Sequence, residues 1–297
     1  MAHRQRGLRD PDIVEAAPTD AYAAMARDAT APMAATRQAR HELKAALCIP
    51  STRGMGHVVR CRTLANELVE RGWTVQTSGA KRPAGFVGGV VIVDGDDMPP
   101  ETYDWPCPVV AIRDTFAALP WHVPHPTLMV VPSAGLRPAS YAHLYGVLSG
   151  PTYSLLRPEF REWAQRRDDA GWGFCGNVFD ARTVAVEHTM SANEIGEHLA
   201  TASVVITYAG MRAMEAACVG VPMVLIPRNE GEVMNANGLE NAHAAKVVTE
   251  EWDAMPMADR LMRDPRKLGA MGRAGRALVD GFGCQRVADA IEKEVGQ

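Results

Sequence analysis

Apolar residues fall in short dense blocks, separated by stretches whose apolar positions recur every three or four residues. Residues 45–50 (Ala-Ala-Leu-Cys-Ile-Pro) form the first dense block. A run apolar at odd and even positions alike predicts a strand buried on both faces. In 57–71 the apolar residues Val58, Cys61, Leu64, Ala65, Leu68 and Val69 make one helical stripe. Gly72 stands where a left-handed residue ends a helix, and 73–77 reads as a second strand. Residues 44–79 thus predict a β-α-β unit, whose crossover makes its two strands parallel. Strands follow at 89–93, 109–112 and 127–131. Residues 146–157 read as a connector punctuated by Gly150-Pro151, and 161–169 as a short helix.

The alternation then resumes. Strands are predicted at 183–186, 202–207, 221–226 and 247–249, and helices at 191–200, 211–219, 234–246 and most of 267–295. Ser191 with Glu194 three residues on is a capping box. Strands alternating with helices give parallel sheets covered on both faces. The expectation is an α/β protein of two Rossmann-like domains facing a cleft: an extension over 1–43, a first domain over 44–150, a connector over 151–170 and a second domain over 171–297. In the extension, Thr19-Asp20 caps a candidate helix through Arg27, and 34–43 is another. Its six arginines are matched by six acidic residues, so it is not a basic arm for nucleic acid.

A length of 297 residues supports two domains. Hydrophobic content of 47% with 22% charged residues excludes global disorder. A net charge of −4 removes any global electrostatic case for binding nucleic acid or an anionic membrane, though not for a local basic groove. No apolar run approaches the roughly 20 residues of a membrane span, and the charged N-terminus has no signal-like apolar region. The six cysteines are scattered without a C-x-x-C pair, which reads as reduced thiols in a cytoplasmic protein and gives no zinc spacing.

Ligands of doubly wound sheets bind beyond the carboxyl ends of the strands. That rule selects four places: 51–57, 94–97, 208–211 and 228–235. The first holds Gly54, Gly56 and His57 at a helix start, where backbone N–H groups favour anionic oxygens and the dipole favours a neutral, proton-accepting imidazole. Taken alone, His57 is equally an ordinary helix-start residue. The spacing is neither a P-loop nor a dinucleotide fingerprint. The third place holds Gly210 and Met211, with Glu215 on the helix that follows. A carboxylate there suits a vicinal diol such as ribose, or merely complements the dipole. The fourth, 228–232 (Arg-Asn-Glu-Gly-Glu), is a polar loop fit for a sugar or for solvent.

Taken together, these residues are specific. The stretch Gly54-Met55-Gly56-His57-Val58-Val59-Arg60 through Ala65 resembles the G-x-G-H-x-x-R-x-x-x-L-A signature of the UDP-sugar hydrolases of the pseudaminic-acid pathway. Leu155-Leu156-Arg157-Pro158-Glu159-Phe160 resembles the connector of the same group. Residues 202–248 are similar to its C-terminal half and to the N-acetylglucosaminyltransferase of peptidoglycan synthesis, both of the two-Rossmann GT-B superfamily. The resemblance implies His57 as general base, Gly54 and Gly56 in the loop before it, and Glu215 on the ribose. Gly210 and the N–H groups from Met211 onward would hold the diphosphate. Asn235 would begin the helix behind the donor. Asp94 and Asp114 would be strand-end acids facing the cleft, joined there by Arg228. No metal and no cofactor is implied beyond the nucleotide-sugar, which is a substrate.

Two departures change the expectation. The spacing from 171 to 183 is too short for a complete unit, so the second domain is abbreviated. Gly231-Glu232 replaces an Asn-Gln pair, and a carboxylate only accepts hydrogen bonds where Gln also donates. The sequence therefore points to transfer from a nucleotide-sugar, UDP-sugar first, onto a hydroxyl acceptor: a small molecule, a glycan or a hydroxylated nucleic-acid base. The alternatives are hydrolysis of the donor by water and a non-catalytic nucleotide-sugar binding module.

Overall fold

The computed structural model describes residues 45–50, 55–78, 86, 88–95, 104–114, 126–135, 146–170, 176–182 and 190–295. The extension over 1–43, the loop residue Gly54, Cys175 and the strand expected at 183–186 lie outside the described residues.

Two parallel sheets organise the chain. The first holds β1 (Ala45–Pro50), β2 (Thr74–Thr77), β3 (Val90–Asp94), β4 (Val109–Ile112), β5 (Leu128–Val131) and β6 (Gly146–Ser149), in the order β2-β1-β3-β4-β5-β6. Helix α1 (Met55–Glu70) links β1 to β2. The chain leaves β1 toward one side of the sheet and continues at β3 on the other. A crevice opens at that reversal, beyond the carboxyl ends of β1 and β3. Helix α2 (Glu159–Asp169) then leads into the second sheet. That sheet holds β7 (Val178–Asp180), β8 (Val204–Tyr208), β9 (Met223–Ile226) and β10 (Ala245–Val247), in the order β10-β9-β8-β7. Among the described residues this sheet has four strands against six in the first. Helices α3 (Ala192–Thr201), α4 (Met211–Val219), α5 (Glu230–Asn241), α6 (Ala254–Met262) and α7 (Pro265–Leu278) follow, and the chain closes with α8 (Gly283–Val295).

The continuous apolar runs are explained by covering on both sides. In the second sheet Val205, Met223 and Leu225 pack toward α3 and α4, while Val204, Ile206, Val224 and Ile226 pack toward α6 and α7. In the first sheet Ala46, Ile92, Val110 and Val130 share a cluster with Cys61, Leu64 and Leu68 of α1, and Val91, Val93, Ala111 and Val131 form the opposite face.

Four sequence expectations are corrected. Residues 146–149, read as connector, form the strand β6; only Val147 and Leu148 are apolar, and the strand lies at the edge of the sheet. The helix expected at 234–246 is α5, beginning at Glu230 and ending at Asn241. Asn229 caps it by accepting from the Glu232 amide at 3.0 Å, so the supposed polar loop is the first helical turn. Residues 254–262 form a helix that the pattern did not predict. Finally, the terminal helix α8 returns to the first lobe. Cys284, Val287, Ala288 and Ile291 join the cluster of α1 and the first sheet, Arg71 binds Asp289 at 2.5 Å and Glu292 at 3.2 Å, and Trp73 donates to Glu292 at 3.1 Å.

The chain therefore passes between the lobes twice, and the two passages touch. Arg286 of α8 donates to the Thr152 carbonyl at 2.9 Å, and a Cβ on Gly283 would lie 2.1 Å from the Ser154 carbonyl oxygen. Because that neighbour is backbone, Gly283→Ala is expected to cost about 1–3 kcal/mol of overpacking. Urea denaturation of the variant against wild type measures it.

Candidate active site

The first lobe places His57 as the third residue of α1. Its Nδ1 lies 2.9 Å from Oδ1 of Asp94, the last residue of β3. Nδ1 also lies 2.9 Å from a terminal nitrogen of Arg60, so it stands between a group that only accepts and a group that only donates; the tautomer with the hydrogen on Nδ1, given to Asp94, is the one that leaves Nε2 its lone pair. Asp94 is completely buried behind the ring. It does not face the cleft as expected, and it reaches the site only through His57 and Arg60.

Arg60 follows His57 by three residues, on the same helix face. Its Nε donates to Asp94 Oδ2 at 2.6 Å, one terminal nitrogen donates to Asp94 Oδ1 and the other to Asp114 Oδ1. The guanidinium thus fastens the start of α1 to the ends of β3 and β4. Asp114 keeps Oδ2 turned toward the imidazole, 3.8 Å from Nε2. Burial alone would raise the Asp114 carboxyl. The charge and hydrogen bond of Arg60, aided by His57 and Arg113, outweigh burial and hold it below its ordinary value near 3.8. Cys61 lies 3.7 Å from Asp94 Oδ2, and burial, then the Asp94 charge, pushes its thiol well above the ordinary range. Burial and Asp94 likewise push Cys48 up to about 12, so neither thiol is a nucleophile at neutral pH.

The second lobe contributes the turn after β8. Gly210 is the N-cap of α4 and offers no side-chain cap to the first N–H groups. Glu215, one turn along α4, is buried and accepts from Arg212 on Oε2 and from Arg157 of the connector on Oε1, the latter at 3.4 Å. At the start of α5, Glu232 accepts from the Arg228 amide at 2.9 Å and from its guanidinium at 2.7 Å. That guanidinium lies 3.9 Å over the Tyr208 ring. Glu232 and Arg228 therefore meet the cleft as one paired unit. Asn235 does not begin its helix but lies within α5. Its side chain donates to the Ala209 carbonyl at 2.6 Å and accepts from the Ala134 amide of the first lobe at 2.9 Å. One amide thus ties the loop after β5 to the turn before Gly210.

These residues surround a single cleft of about 630 Å³ between the lobes. Gly56, His57 and Asp114 line it from one side, and Gly210, Met211, Glu215, Arg228, Glu232 and Asn235 from the other. The starts of α1 and α4 face each other: a Cβ on Gly56 would be 3.7 Å from the terminal methyl of Met211. Sequence reasoning gave no role to four other lining residues, Arg60, Arg157, Arg182 and Arg212. The available signals were the three-residue spacing of Arg60 from His57 and a cation in the first turn of α4.

Two lobes with opposed helix starts can be compared with known folds. No family model matches the chain, and no curated protein sequence does. Solved structures do. The Acinetobacter baumannii MurG structure matches with a TM-score of 0.56 at 14% identity, over 84% of this chain and 99% of that one. A co-structure of S. aureus MnaA with UDP matches at 0.56 and 13%, over 86% and 97%. The spinosyn rhamnosyltransferase SpnG matches at 0.53 and 15%, over 84% and 100%. The fold is GT-B. At these identities the likeness speaks for the fold, and the chemistry has to be argued from the residues in the GT-B cleft. Among the described residues no group of three His, Cys, Asp or Glu is placed to hold a metal ion, and no helix is long and apolar enough to cross a membrane.

Removing Arg60 would strand the buried Asp94 carboxylate. Arg60→Ala is expected to lower the unfolding free energy by about 3–5 kcal/mol, measured by urea denaturation. The Asp114 carboxyl is lower in the folded than in the unfolded chain. Its stabilisation is therefore present above the unfolded value and is lost as pH falls through the folded one. Asp114→Asn should remove that part of the acid limb in a pH series of thermal melts.

Proposed function

We propose that the protein is a nucleotide-sugar-dependent glycosyltransferase that moves a sugar, from UDP-sugar as first candidate, to a hydroxyl acceptor. One observation carries the reading: an imidazole oriented by a buried carboxylate faces, across one cleft, an uncapped helix start surrounded by guanidinium groups. Five arginines line the cleft: Arg60 is matched by Asp94 and Asp114, Arg182 by Asp180, and Arg157, Arg212 and Arg228 share Glu215 and Glu232. Three cations on two acids beside Gly210 suit a diphosphate. The rhamnosyltransferase and the UDP co-structure among the GT-B neighbours support the same class.

In this reading the first lobe holds the nucleophile and the second the donor. His57 Nε2 takes the proton of the acceptor hydroxyl while Nδ1–H stays on Asp94. The acceptor oxygen bonds to the anomeric carbon, and the bond from that carbon to the diphosphate breaks. The leaving charge falls on the N–H groups after Gly210 and on nearby guanidinium groups, with no metal required. Glu215 takes the ribose diol. The Arg228–Glu232 unit beside Gly210 meets the donor sugar.

A second reading, hydrolysis of the donor, is favoured by Asp114. Two acceptors, His57 Nε2 and Asp114 Oδ2, stand 3.8 Å apart. A nucleophile with two hydrogens, water, satisfies both.

UDP release from a panel of UDP-sugars, with and without hydroxyl acceptors, separates the readings. Release that requires an acceptor supports transfer; equal release without one supports hydrolysis. His57→Ala is expected to slow either by about 10²–10⁴-fold. UDP binding without turnover under any condition would overturn both in favour of a binding module.

A further inference from the structure

The start of α4 has the wrong charge for a merely structural turn. The first turn of a helix favours acidic residues and disfavours cations, because unpaired N–H groups make that end positive. Helix α4 has no acid in its first turn, and its second residue is Arg212. The preceding Gly210 adds no side-chain cap. The Arg212 guanidinium meets Glu215 one turn along the helix and lines the cleft.

Two guanidinium groups share one carboxylate there. Arg212 binds Oε2 of Glu215 and Arg157 binds Oε1. Glu215 is buried and the two arginines are mostly so. The Nε of Arg157 is buried with no hydrogen-bond partner. All three side chains line the cleft. Two cations on one anion leave a positive excess, beside a helix end that is itself positive. Such a cluster is complementary to a bound anion and self-repelling without one.

Building on the nucleotide reading above, we propose that Arg212 and Arg157 are the diphosphate grip of this cleft, oriented toward the phosphates by the same Glu215 that takes the ribose. The connector and the donor helix would then close on one ligand together. Arg212 as a mere support for Glu215 is the competing role, and the two differ in what they predict for a nucleoside that carries no phosphate.

The test is calorimetric binding of UDP and of uridine to wild type, Arg212→Ala, Arg212→Lys and Arg157→Ala, each checked for its thermal melt. Each alanine variant is expected to lose roughly tenfold or more in UDP affinity, the size of one charge-assisted hydrogen bond. Uridine affinity should stay within about twofold, and Arg212→Lys should restore part of the UDP loss. Equal loss for UDP and uridine would make the arginines supports of Glu215 and overturn the proposal. So would unchanged UDP affinity in both alanine variants. If Arg212→Ala fails to fold, Arg157→Ala and Arg212→Lys carry the same comparison. Wild type that binds neither UDP nor uridine would overturn the UDP reading itself, an outcome distinct from a failure of the grip alone.

Discussion

One guanidinium holds the first lobe's half of the cleft together. Arg60 reaches from α1 to the carboxylates that end β3 and β4, and a buried carboxylate without such a partner would be prohibitively costly. Arg60 holds both oxygens of Asp94, and His57 Nδ1 meets Oδ1 beside it, 2.9 Å from that oxygen and 2.9 Å from a terminal nitrogen of Arg60. The placement of the ring and of Asp114 follows from this charge pairing at the strand reversal. A glycine-bearing turn alone would leave the ring free to rotate.

The two walls of the cleft are electrically unlike. On the first, one cation is matched against two acids. On the second, with Arg182 paired to Asp180, the three arginines Arg157, Arg212 and Arg228 face Glu215 and Glu232. A substrate with an anionic and an uncharged end has one favoured orientation between such walls, with its anion on the second lobe. Gly135 and Gly238 bring the walls close: a Cβ on Gly238 would be 2.2 Å from the Ala134 carbonyl oxygen. Asn235 then spans the seam with its amide. Close backbone approach and a bridging amide together set the width of the gap.

Most of the architecture was legible along the chain because the central strands β3, β4, β5, β8 and β9 are dense apolar runs, and Gly72, with φ of 82°, ended α1 where expected. The edge strand β6 escaped because half its residues are Gly and Ser. The start of α5 escaped because a capping residue, Asn229, resembles a loop residue when read locally. The return of α8 to the first lobe has no local signature, since its apolar stripe would fit either sheet. In the cleft, His57 and Gly210, with Glu215 on the helix that follows, were picked out by the strand-end rule, and Asp114 by the family resemblance. Asp94 was found by the same rule, but its depth was not, because only the reach of Arg60 makes burial of that carboxylate tolerable. Arg157 and Arg212 were passed over because arginine on or near a helix is ordinarily a solvated surface residue.

The doubled passage between the lobes limits how this protein can be rebuilt. A graft that replaces the second lobe with one from a distant relative has two seams, one near Ser154 and one near Gly283. These lie against each other in space despite the length of chain between them. Recombination at the first seam alone would import a foreign terminal helix onto the native six-stranded sheet, where Cys284, Val287 and Ile291 now fill the core. Modular exchange of the second lobe is therefore a two-cut operation, and its natural unit ends before residue 283.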